Sequence, residues 1–301
     1  MAQLAFDARL SPARMKSTAT SAPGANPLMN SACCMIFRLL IILCLTVLTH
    51  RSDSAESAPS TMTANDLAAR LNAWQQDGSS YVRLRMVVSE PAGKNAFQIQ
   101  IKARRTKSST DVVYQVLWPK ERKGEGVLLQ KGADRSATGA IFVPPNNLRP
   151  LGAQQMDEPF FGSGLSYEDL VENFFAWEQQ AIAGTEEVDG VSCFVLESKP
   201  GKGARSSYSK VRTWVDSRRL IPLRIEKYLA SGQLARRIET SNVVTDDIGR
   251  QVPANLTVRD PRRNSTSELD GSRIKHDIRF DDEEFTPEAL RNLSIPKSTS
   301  N

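Results

Sequence analysis

Alternation of apolar and polar residues with a period of two recurs along most of the chain, and it makes an antiparallel sheet the principal fold open to it. In residues 81–88, Val82, Leu84, Met86 and Val88 fall on one face, with Arg83 and Arg85 on the other. Residues 97–103 repeat the pattern with Phe97, Ile99 and Ile101 inward. Further strands are expected at 112–118, 126–130 and 140–143, then at 177–188, 191–199, 208–215, 223–229, 234–244, 252–258 and 273–280. Asp189-Gly190 is a strong hairpin signal, and Ser231-Gly232 and Gly249 fit the turn spacing. The fold class is α+β, mainly antiparallel β: two meanders of about ten strands in all, wetted on one side.

Helices are few and short. Thr63 with Asp66 three residues on makes a capping box, and Leu67, Leu71 and Trp74 recur at helical spacing before Asp77-Gly78 ends the run. Ser166 with Asp169 makes a second such start, and Leu170, Val171, Phe174 and Phe175 give that helix one apolar face. Thr286-Pro287-Glu288 opens a third. Pro144, Pro145 and Pro150 break the strand pattern, so residues 146–165 are expected to form a long loop, functional or mobile.

The front of the chain obeys different rules. Arg38 precedes ten uncharged, mostly apolar residues (39–48), and His50, Arg51 and the small polar run 52–55 follow. That arrangement is a cleavable secretory signal, too short for the roughly 20 apolar residues of a spanning helix. The predicted organisation is an N-terminal extension (1–34), which is disordered or lies upstream of the true start at Met35, a signal (35–55) and one domain (56–301). Removing residues 1–55 takes five of the 39 basic and two of the 34 acidic residues, so the balance becomes 34 to 32, a net +2. The sequence pI of about 9.1 therefore overstates the charge of the exported part, and no nucleic-acid partner is indicated. Of four cysteines only Cys193 remains, so no internal disulfide can form.

Candidate chemistry is sparse. His276 is the one histidine after position 55, which excludes a multi-histidine metal site; it reads as a surface strand residue. Cys193 lies in an apolar strand and reads as a small buried hydrophobe. The acids Asp246-Asp247 and Asp281–Glu284 sit near turns and read as solvated. Arginine pairs at 104–105, 218–219, 236–237 and 262–263 read as protection of edges and loops, with a footing on anionic headgroups or an acidic partner as the functional alternative. There is no Walker loop or dinucleotide fingerprint, and neither cofactor nor metal is called for. What remains is apolar surface: a wide sheet face with three short helices to cover it leaves room for an acyl chain, worth roughly 0.8 kcal/mol per buried methylene.

Residues 160–170 (Phe-Phe-Gly-Ser-Gly-Leu-Ser-Tyr-Glu-Asp-Leu) resemble the "GSD(F/L)SYEDL" signature of LolA-like outer-membrane lipoprotein-sorting proteins. Three further pieces are similar to that family in the right order: 117–129, with Trp118-Pro119 and Lys123-Gly124; 214–228, with Trp214, Asp216, Pro222 and Tyr228; and 281–290, with Phe285-Thr286. The resemblance covers about residues 63–293. It implies a curved, half-open β-barrel with a helical lid and an apolar cavity between them. One position departs: the family's acid after Gly-Ser is Gly164 here, and a loop without that contact is expected to be looser.

The function expected on this basis is non-enzymatic. The chain is read as a periplasmic carrier that binds a lipid or lipoprotein acyl chains and moves them between membranes, with an inner-membrane transporter or outer-membrane acceptor as partner. The alternative is an envelope sensor that uses the same fold to report lipid or lipoprotein to a membrane partner. Candidate lipid-binding residues are Leu84, Met86, Ile99, Ile101, Leu170 and Phe174; the family-motif residues are Gly162, Ser163, Tyr167, Glu168, Asp169 and Leu170.

Overall fold

The alternating segments pair into one antiparallel sheet. The computed structural model describes residues 62–75, 78–132 and 136–294, so the residues read above as an N-terminal extension and a signal (1–55) lie outside the described residues. Six strands form the first meander: β1 (Gly78–Glu90), β2 (Gly93–Arg105), β3 (Ser109–Trp118), β4 (Gly126–Gly132), β5 (Thr138–Val143) and β6 (Asn147–Leu151). Seven form the second: β7 (Gln179–Val188), β8 (Val191–Lys199), β9 (Lys210–Asp216), β10 (Pro222–Tyr228), β11 (Leu234–Thr245), β12 (Gln251–Asp260) and β13 (Ser265–His276). The first and last strands pair, with Met86 opposite Leu269 and Val88 opposite Ser267, so the meanders merge into a single 13-stranded sheet. Its ends, β6 and β7, remain edges, which makes the barrel half-open.

Thirteen strands form, against a round count of about ten and the twelve segments assigned from the sequence. The unforeseen β6 lies inside the segment read as a loop; it is an edge strand, the place where Pro150 does least harm. The last strand was displaced: it occupies Ser265–His276 rather than 273–280, because Asp277 turns out of the sheet at φ +55°. At the Asp189-Gly190 turn both residues have positive φ, +50° and +78°, the mirror-image turn whose twist suits a hairpin.

One sheet face carries two apolar clusters side by side. In the first, Met86 and Val88 of β1, Phe97 and Ile99 of β2, Val112, Tyr114 and Val116 of β3 and Leu129 of β4 meet Met156, Phe160, Leu165, Tyr167 and Val171 from the connection after β6. In the second, helix α1 (Ala64–Gln75) buries Leu67, Ala68 and Leu71 against Leu196, Val211, Val215 and Ala235, joined by Phe174 and Phe175. The capping box starts α1 as expected: the Thr63 hydroxyl accepts from the Asp66 amide at 3.1 Å. On the opposite face the C-terminal segment lies over β2–β5. Phe285 and Leu290 pack with Val113, Leu128 and Phe142, while the Gln115 side-chain amide donates to the carbonyls of Leu290 (3.2 Å) and Asn292 (3.0 Å).

Candidate ligand-binding site: the lid motif and the cavity beside it

The connection from β6 to β7 is an ordered lid rather than a loose loop. Phe160 takes it into the first core cluster at 1% exposure, its ring edge-on to Tyr114 with centroids 4.9 Å apart. Phe161 then adopts φ +47°, a conformation costing a residue with a Cβ about 1 kcal/mol, held by stacking on Phe97 and contact with Phe160. Gly162 at φ +81° completes the reversal, and the Phe160 amide returns to the Leu165 carbonyl at 2.8 Å. The buried Ser163 hydroxyl accepts from the Leu165 amide at 3.2 Å. At Gly164 the lid touches the sheet: its amide donates to Ser267 Oγ at 2.9 Å, and a Cβ there would meet Val258 Cγ1 at 3.3 Å and the Val258 carbonyl at 3.4 Å. The expected loosening at this position is therefore overturned. The backbone itself makes the contact, at a spacing that leaves little room for a side chain.

Ser166 and Asp169 then cap each other to open helix α2 (Tyr167–Val171). Asp169 does more than cap. Its Oδ1 accepts from Lys227 Nζ on β10 and from the Tyr208 hydroxyl, each at 2.7 Å, and its Oδ2 lies 3.4 Å from Arg236 Nε on β11. Arg236 in turn reaches Asp260 Oδ2 at 2.6 Å. All four charged side chains are at most 3% exposed. Burial by itself raises the Asp169 carboxyl, but Lys227 and then Arg236 overcome that and hold it at about 2. Burial, with Asp169 alongside, pushes the Tyr208 phenol well above its ordinary value. Beside this cluster the buried Glu168 accepts from the Ser206 hydroxyl at 2.5 Å and the Ser207 amide at 3.1 Å, tying α2 to the β8–β9 loop.

The candidate residues divide between these regions. Met86 and Ile99 are fully buried in the first cluster, with Leu84, Ile101 and Leu170 packed against it, so five of the six share one environment. Phe174 sits with α1 in the second. None of the six lines the cavity that the structure opens nearby, about 1200 Å³ and partly open. Its wall comes from the β2–β3 turn (107–110), the end of β4, the lid at Ala153 and Met156, α2 and the residues after it, and the β8–β9 loop (201–207). Met156 and Val171 belong both to this wall and to the first core cluster.

Sequence reasoning missed Lys227 and Arg236 as interior residues, and its reading of the arginine pairs as edge and loop protection suits only the two that lie in turns. Two pairs lie in turns and two on inner strands, none on the edge strands β6 or β7. At least one member of each is held by an acid: Arg104 by Asp111 and Asp282, Arg219 by Asp216, Arg237 by Glu226 and Arg263 by Glu90. The pair Asp246-Asp247 is not simply solvated either. The Asp246 carboxylate is buried and accepts from the Arg250 amide at 2.7 Å, while Asp247 Oδ1 accepts from His276 Nδ1 at 2.5 Å. His276 Nε2 faces Arg250 Nη2 at 2.7 Å, and the imidazole is only 9% exposed, so it is no open surface residue. The ligand atoms of Asp246, Asp247 and His276 fall within 4.8 Å of one another, but Arg250 already brings the positive charge into that group. Cys193 is buried and free, as its apolar strand implied.

A family model described as an uncharacterized "-like" protein family matches residues 108–292, more than half of the chain. The chain belongs to this family. No curated protein sequence matches it. Among solved structures, a DUF1329 family protein from Desulfovibrio piger is similar with a TM-score of 0.70 and 23% identity, over 75% of this chain and 97% of that one. A putative outer membrane lipoprotein-sorting protein domain from Vibrio parahaemolyticus gives 0.68 and 18%, over 75% and 97%. A LolA superfamily protein from Nitrosomonas europaea gives 0.61 and 20%, over 76% and 100%. These likenesses place the fold: a LolA-like half-barrel whose lid is the stretch carrying the 160–170 motif.

Proposed function

We propose that this LolA-like chain is a periplasmic carrier that binds the acyl chains of a lipid or lipoprotein under its lid and moves them between membranes, without covalent chemistry. An inner-membrane transporter would load it and an outer-membrane acceptor would relieve it. The observation that carries the reading is the shared position of Met156 and Val171. They are lid residues in the apolar core and, at the same time, wall residues of the adjoining cavity. An acyl chain entering there replaces lid side chains against Met86, Ile99 and their neighbours, at roughly 0.8 kcal/mol per methylene buried. The apolar interior is filled by the lid in this structure, so loading requires the lid to move.

The test is transfer between donor and acceptor lipid vesicles, combined with native mass spectrometry of the gently purified protein. Stoichiometric bound lipid and protein-dependent transfer are expected. Lipid-free preparations that also fail to take up lipid from vesicles would remove the proposal.

A further inference from the structure

The cavity wall is polar and carries cations on two opposing loops. Lys107 stands on the β2–β3 turn; Lys202 and Arg205 stand on the β8–β9 loop. Two of the three wall acids are committed: Glu172 pairs with Lys131 and accepts from Trp177 Nε1 at 2.8 Å, and Glu168 holds Ser206 and Ser207, while the exposed Glu178 lies against Gly201. Lys107, Lys202 and Arg205 make no ion pair among the described residues, and with Lys131 they outnumber the wall acids Glu168, Glu172 and Glu178 by four to three.

A second observation comes from inside the sheet. Arg105 ends β2 on the row of Ile101 and Ala103, the apolar face beneath the lid. Its partner directly across the ladder is Thr110, part of the cavity wall, and side chains of such opposed residues share a face, so Arg105 stands next to that wall without being part of it. Arg105 is half-buried, and no described carboxylate pairs with it; burial pushes the guanidinium below its ordinary value, and only the Tyr114 phenol works against that. A cation held at an apolar face without an anion is destabilising unless a ligand provides one.

We infer that the cavity selects an anionic amphiphile, its phosphate head met by Arg105, Lys107, Lys202 and Arg205 and its chains directed past Met156 and Val171 under the lid. This rests on the carrier reading and adds the head-group class to it. The guanidinium groups of Arg105 and Arg205 and the ammonium groups of Lys107 and Lys202 suit a phosphodiester, which accepts bidentate hydrogen bonds from arginine and point charges from lysine. A zwitterionic head would bring its own ammonium group among these cations.

The experiment is calorimetric titration of the full chain with dioctanoyl phosphatidylglycerol, dioctanoyl phosphatidylcholine and sn-glycerol 3-phosphate, the lipids kept monomeric so that surface adsorption does not contribute. Phosphatidylglycerol is expected to bind about tenfold more tightly than phosphatidylcholine, the effect of one charge-assisted contact. In Arg105→Met the ratio should fall to about one. That variant keeps the aliphatic stem and removes a charge that has no ion pair among the described residues, so its urea midpoint should equal or exceed that of the wild type. Equal binding of the two lipids to the wild type overturns head-group selection and leaves the carrier reading standing; binding of neither overturns both. A preference that survives Arg105→Met removes that residue from the site. Glycerol phosphate binding as tightly as the lipid would show a small-phosphate site instead.

Discussion

Asp169 Oδ1 lies 2.7 Å from Lys227 Nζ, joining the acid of the lid motif to strand β10 across 58 residues of sequence. Arg236 and Asp260 complete the group, so two buried negative and two buried positive charges balance. Balance matters more than any one pair. Removing a single member of a buried ion pair leaves an uncompensated charge and costs about 3–5 kcal/mol, whereas removing both can be close to neutral. Asp169→Asn should therefore lower stability by about that amount, and Asp169→Asn with Lys227→Met should recover much of the loss, because Arg236 keeps Asp260. A double-mutant cycle from urea unfolding checks this; additive losses would mean that the two residues act separately.

The same cluster sets a response to acid. The Asp169 carboxyl titrates at about 2 in the folded protein against an ordinary value of 3.8, so the folded state favours the ionised form. The resulting stability, on the order of 2 kcal/mol, is fully present above about pH 4 and is lost as the pH falls toward 2. The gap in unfolding free energy between wild type and Asp169→Asn should narrow over that interval and be flat from pH 5 to 7. Glu197, also held at about 2 despite burial, by Lys199 and Arg212, contributes to acid sensitivity in both proteins and cancels from the difference.

Gly164 stands where the related motif has an acid, and the sheet explains what that site permits here. A Cβ would sit 3.3 Å from Val258 Cγ1 and 3.4 Å from its carbonyl, so Gly164→Ala should cost about 1 kcal/mol, and Gly164→Asp more, about 1–3 kcal/mol, through overpacking. Urea midpoints of the two variants measure this. A stabilised Gly164→Asp would show that the lid can shift from Val258 at no cost.

Much of this architecture was legible in the sequence because it depends on local pattern. Alternation in residues 81–88 and 97–103 gave both the strands and their inward faces, and two capping boxes marked where α1 and α2 begin. The rest depends on partners distant in sequence. Lys227 and Arg236 occupy inward rows beside Ile225 and Ile238, and they are directly paired across β10 and β11, as are the two isoleucines. A charged residue on an inward row looks like an outward one unless its counter-ion is known, and Asp169 is 58 residues from Lys227. The row itself was the available signal: alternation continues through both basic residues without a break. Strand β6 was hidden differently, since Asn147-Leu148-Arg149-Pro150-Leu151 has a proline and too little apolar alternation to look like a strand. The cavity was invisible because turns and loops from four parts of the chain form its wall.

Phe160 offers a direct test of lid replacement. Its ring is 1% exposed and contacts Tyr114, Phe161 and Tyr167, so Phe160→Ala should cost about 3–5 kcal/mol, through lost burial and the void left behind. That void lies on the face proposed to receive acyl chains, in the cluster containing Met86 and Ile99. A chain that occupies it restores the lost contacts without first displacing the ring. Monomeric dioctanoyl lipid should accordingly raise the melting temperature of Phe160→Ala by more than it raises that of the wild type, since a ligand that binds the folded state stabilises it by RT ln(1 + L/Kd) at free ligand concentration L, an amount that grows as the affinity rises. A variant that is destabilised but gains no more from lipid than the wild type would place the acyl chain somewhere other than under this ring.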